Sequence, residues 1–103
     1  MTSAIHLIED LGNMKIIDKT NAEWESGWWA VSAETAEKLV GGDIYFHKKQ
    51  IEPSFFGGRI LSYRIETSGE CIGRIIFKFK TGLEFKGIRA GVSGWGMEKK
   101  IIW

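Results

Sequence analysis

Cysteine and proline are nearly missing from this sequence: Cys71 and Pro53 are the only ones in 103 residues. A lone cysteine closes no disulfide within the chain, so a disulfide scaffold is excluded and a reducing, cytoplasmic setting is the expectation. No stretch approaches the roughly 18 consecutive apolar residues of a membrane helix, and no basic segment leads into an apolar one at the start. Neither a membrane span nor a signal peptide is therefore expected. The signatures HExxH, CxxC, GxSxG and GxxxxGK[ST] are also lacking, and His6 and His47 stand in no recognisable ligand spacing. No metal and no cofactor is expected.

What is present is apolar and glycine-rich. Hydrophobic residues make up 44% of the chain, with five Trp and six Phe, enough for one compact core. A domain of this size buries somewhat under about 68% of its unfolded surface, so residues 1–103 are read as a single domain. The 13 glycines are nearly twice the average usage of about 7%. Such an excess fits turns with positive φ, bends in a curved sheet, or close approach of the backbone to a ligand. The net charge of +1 hides an asymmetry: residues 1–40 carry three lysines against seven acids, whereas residues 41–103 carry eleven cations against six acids. A polyanionic partner is expected to meet the second part.

Short strands dominate the patterning. Met14–Ile17, Gly27–Ser32, Ile44–His47, Arg59–Ile65, Arg74–Lys80 and Lys99–Trp103 read as strands. Trp29 and Val31 share one face of the second, with Trp28 on the other. Ser32 is a suitable N-cap for a two-turn helix with Ala36, Leu39 and Val40 on its apolar face and Gly41 as terminator. Residues 48–58 read as a loop. Five or six strands and one helix predict a mainly β (α+β) fold, a small bent barrel plugged by the helix.

The segment HKKQIEPSFFGGR, residues 47–59, combines the ingredients of a nucleic-acid site. Lys48, Lys49 and Arg59 suit phosphates, Phe55 and Phe56 suit stacking, and His47, Gln50 and Ser54 suit base edges. Gly57 and Gly58 would let a ligand approach the backbone. Trp95, between Gly94 and Gly96 and near Lys99 and Lys100, is a second stacking candidate. Trp24 and Trp103 read as core.

Trp-Trp-Ala-Val at 28–31, a short helix, Gly-Gly-Asp-Ile-Tyr-Phe at 41–46, a variable loop and Gly-Arg-Ile-Leu-Ser-Tyr-Arg at 58–64 together resemble the PUA-like superfamily, especially its EVE-type members. The resemblance covers roughly residues 27–80. It implies a pseudobarrel that binds RNA or DNA, in several members by holding a modified base in an aromatic cage, here lined by Trp28 or Trp29 and residues after Phe46. The chain is short for an EVE domain. The Gly-x-Lys-x-x-Glu-x-Arg motif of the related ASCH domains is missing, which counts against an amidohydrolase of that type. The leading expectation is a non-enzymatic module recognising a single-stranded or flipped base. Two alternatives are a small hydrolase acting on a modified nucleoside through Lys48 or Lys49 with Glu52, and a protein-interaction module.

Overall fold

The computed structural model describes residues 3–103. Among them, seven strands and one α-helix follow in the order Ala4–Ile8 (β1), Met14–Asp18 (β2), Glu23–Trp29 (β3), Ala33–Leu39 (α1), Asp43–His47 (β4), Phe56–Ile65 (β5), Ile75–Thr81 (β6) and Lys99–Ile102 (β7). A 3-10 turn, Leu83–Phe85, precedes the last strand. The architecture is mainly β of the α+β kind, as the patterning predicts.

Alternation builds the core. Ile5 and Leu7 of β1, Ile44 and Phe46 of β4, Ile60 of β5, and Ile75, Phe77 and Phe79 of β6 are all buried, and α1 adds Ala36 and Leu39. Each such side chain contributes about 1.5–3 kcal/mol when fully buried. Trp29 and Val31 join them, consistent with their shared face. Ser32 caps α1, its Oγ accepting from the Thr35 N–H at 3.1 Å. Gly41 follows with φ of +88°, where a Cβ would be strained. The helix ends at Leu39, so Val40 sits in extended backbone and is exposed rather than on the apolar stripe.

The expected barrel does not close. The strands lie in the order β2-β3-β6-β5-β4-β1-β7, one open sheet in which β1 and β4 run parallel and all other neighbours are antiparallel. The strand that changes the topology is β1, which is not among the strands expected from the sequence. By inserting between β4 and β7 it extends the sheet at one end, while the β2–β3 hairpin extends it at the other. The two edge strands are not paired with each other.

Two local expectations are also corrected. Residues 56–58 belong to β5, not to a loop, and their glycines serve the sheet. A Cβ on Gly57 would lie 2.3 Å from the Ile44 carbonyl oxygen, and one on Gly58 would lie 2.4 Å from that of Lys80. Neighbouring strands, not a ligand, make the close approach there. Trp103 is 54% exposed instead of core, because β7 ends at Ile102 on a sheet edge.

Candidate nucleic-acid interface

The expected site residues do not gather in one place. Trp29 is core, with its indole N–H donating to Ser26 Oγ at 3.0 Å. Phe55 and Phe56 both pack against the core from its margin, Phe56 edge-on to Trp24 with centroids 5.1 Å apart. Lys48 is exposed and lies over the Phe55 ring at 4.5 Å, a cation–π contact. Lys49 and Glu52 are exposed as well, so the buried lysine of a hydrolase site is missing from this loop. Ser54 is buried and ties two segments together, donating to the Phe85 carbonyl at 2.6 Å and accepting from the Ile88 N–H at 3.0 Å. Gln50 donates to the Met97 carbonyl. Arg59 is paired with Asp43 at 2.8 Å.

His47 belongs to a buried polar cluster on the face of the sheet opposite Phe46. Its Nδ1 lies 2.8 Å from the Glu52 carbonyl, an acceptor, so Nδ1 carries the proton and Nε2 is left to accept. His6 Nδ1, 2.9 Å from that Nε2, must donate to it. The His6 ring stacks on Tyr45 with centroids 4.7 Å apart, and Trp95 stands edge-on to both histidines at 6.4 and 5.7 Å. Burial first, then the neighbouring His47 and Lys100, lower the His6 pKa from 6.5 to about 4. Trp95 is held here by its N–H to the Gly91 carbonyl. It roofs the pair of histidines.

Trp28 stands elsewhere. In β3 the register slips between Ser26, opposite Phe77, and Trp29, opposite Ile75, so Gly27 and Trp28 together oppose Ile76. A bulge of this kind re-aims a side chain. Trp28 is 39% exposed, and its indole N–H donates to Glu66 Oε1 at 3.0 Å, which ties the ring to the residue just past the end of β5. Two cavities share it. One, about 200 Å³, is lined by Trp28 with Met14, Lys15, Glu25 and Arg64. The other, about 170 Å³, is lined by Trp28 and Trp29 with Glu9, Asp10, Arg74 and Glu98. Neither includes His47, Phe55 or Trp95.

The first cavity lies over a charged sheet surface. Lys15 opposes Glu25, which opposes Lys78, and the next row runs Glu23, Lys80, Arg59, Asp43. Arg64 grips Glu25 with two hydrogen bonds of 3.1 Å, and these hold the Glu25 carboxyl below the usual carboxylate range. Lys78 pairs with Glu23 at 3.2 Å. At both cavities the volume is below the roughly 300–1,000 Å³ of sites for drug-sized ligands. One planar ring is the scale that fits.

Of the residues at these cavities and in the histidine cluster, Trp28 is a candidate from the sequence, while Glu9, Lys15, Arg64, Arg74 and His6 are not. A signal existed for Glu9, since an acid two residues before Leu-Gly-Asn can reach forward to accept from the N–H groups of that turn. For the others, only the sheet order sets Lys15 of β2 and Arg64 of β5 beside β3, His6 of β1 beside His47 of β4, and Arg74 at the start of β6 near Trp28. No protein-family model, no curated protein and no solved structure matches the chain. No helix among the described residues is long and apolar enough to cross a membrane.

Proposed function

We propose that this chain is a nucleic-acid-binding module that stacks one base of a single strand on Trp28. The observation that carries the reading is the part-exposed indole, held at its edge by Glu66 and flanked by Lys15 and Arg64 at a cavity of single-ring size. An indole face takes any base, at about 1–3 kcal/mol per stack, and the cations beside it suit the adjoining phosphates. The second cavity carries three carboxylates against one guanidinium, so phosphates are favoured at the cavity with Lys15 and Arg64. From the PUA-like resemblance this reading keeps base recognition by an aromatic side chain. Of the aromatic candidates it keeps Trp28, at the β3 bulge, rather than Phe55, Phe56 or Trp95.

The test is fluorescence anisotropy of short labelled DNA and RNA single strands at low salt. Binding is expected to fall at least about tenfold in Trp28→Ala, which the loss of one stack accounts for, and to weaken steeply as salt rises. No binding to any strand at low salt would end the proposal.

A further inference from the structure

The second cavity has a feature that phosphate or base stacking does not use. Glu9 is only 3% exposed, and one of its carboxylate oxygens is fully engaged: Oε1 accepts from the backbone N–H groups of Leu11, Gly12 and Asn13 at 3.0, 2.7 and 3.4 Å. Those three bonds fix the carboxylate in place. Oε2 accepts from no donor among the described residues, and Glu9 is in none of the ion pairs found among them. No sealed side-chain oxygen among the described residues lacks a partner, so Oε2 is not sealed off, and Glu9 lines the second cavity. A largely buried carboxylate with one oxygen free, and no counter-charge bonded to it, is a ready partner for a cation.

The rest of the lining favours the same ligand. Asp10 and Glu98 add two more carboxylates against one guanidinium, Arg74, and Trp28 and Trp29 supply the indoles. Carboxylates with indole surface form the pattern that holds alkylammonium groups, through charge and through the negative face of the ring. A metal ion is less suited, because no three acidic, histidine or cysteine side chains among the described residues converge as a ligand set.

We propose that this cavity binds a small organic ammonium cation, with Glu9 Oε2 as its anionic contact and Trp28 as its aromatic wall. The proposal does not rest on oligonucleotide binding, which is argued from the other cavity and its cations. It is tested on the full chain by following the Trp28 indole N–H resonance during titration with choline chloride. The controls are sodium chloride, the neutral isostere 3,3-dimethyl-1-butanol, and n-butylammonium chloride, which separates quaternary from primary ammonium.

Saturable shifts with choline or butylammonium, and none with the alcohol, are expected. Glu9→Gln leaves an amide oxygen to hold the 11–13 turn and removes the charge, and it should weaken binding at least about tenfold, the scale of a desolvated cation contact. Asp10→Asn with Glu98→Gln, both at exposed positions, should weaken it less, and Arg74→Ala should strengthen it. Equal shifts with the alcohol, unchanged affinity in Glu9→Gln and in the Asp10, Glu98 double variant, no saturable shift at all, or tighter binding of calcium or magnesium chloride than of either amine would overturn the proposal.

Discussion

His6 and His47 share a 2.9 Å hydrogen bond across β1 and β4, and the Glu52 carbonyl behind His47 sets the direction of its proton. The pair can take one further proton, at His6 Nε2, without breaking either bond. Lys100, opposite His6 in β7, and the His47 ring oppose that proton, and burial opposes it most.

Stability should therefore fall as pH drops from 6.5 to about 4. In that window the unfolded chain holds a proton on His6 and the folded chain does not, so unfolding takes up a proton and becomes easier with each step down. At about 1.4 kcal/mol per pH unit over that window, the effect reaches at most between about 3 and 4 kcal/mol. Urea midpoints measured between pH 7.5 and 4.5 should decline in the wild type and change much less in His6→Gln. Loss of stability confined to pH below 4 would instead point to carboxylates such as Glu25, whose pKa is lowered by Arg64 and whose contribution disappears only as it protonates.

Ser54→Ala should destabilise the fold by about 1–3 kcal/mol, because it strands the buried Phe85 carbonyl and Ile88 N–H that share the hydroxyl. Oligonucleotide affinity at a temperature where the variant is folded should be unchanged. A variant of normal stability and weakened binding would return Ser54 to the role of a base reader.

Gly57→Ala and Gly58→Ala should each cost more than an ordinary overpacked core position, about 3 kcal/mol or more. In both, the new methyl meets a neighbouring strand's carbonyl oxygen at under 2.5 Å. Thermal denaturation by circular dichroism measures this. Near-wild-type stability in either would show that β5 can shift, and that the glycine pair is not required by the sheet.

Lys15→Ala and Arg64→Ala should each reduce the steepness of the salt dependence of single-strand binding by about one phosphate contact, with little change in base preference. Arg64 is partly committed to Glu25, so Glu25→Gln should tighten binding. Unchanged salt slopes in both cation variants would separate Trp28 from any phosphate track.

The parts of this fold legible in the sequence are those with local signals. Ile75, Phe77 and Phe79 alternate and are buried, and Ser32 and Gly41 bracket the helix they announce. Trp28 and Trp29 divide between surface and core. The open sheet was not legible because it depends on where β1 inserts, a long-range pairing of Ala4–Ile8 with Asp43–His47 that no short window records. At Phe55 to Arg59, aromatics, glycines and a cation in a row resemble a ligand loop, while in the fold Phe56 packs inward, the glycines admit neighbouring strands and Arg59 pairs with Asp43. The same physics that suits a ligand site, close backbone approach and aromatic stacking, here serves a sheet.

The most direct test of Trp28 as the base platform compares two variants for single-strand binding at low salt: Trp28→Ala, and the double variant Lys48→Ala with Lys49→Ala in the exposed loop. With circular dichroism confirming that both are folded, binding should be lost to a large degree in Trp28→Ala, at least about tenfold, and only modestly reduced in the loop variant. The reverse pattern, with the loop variant failing to bind and Trp28→Ala binding as wild type, would contradict the account and place the interface on residues 47–59.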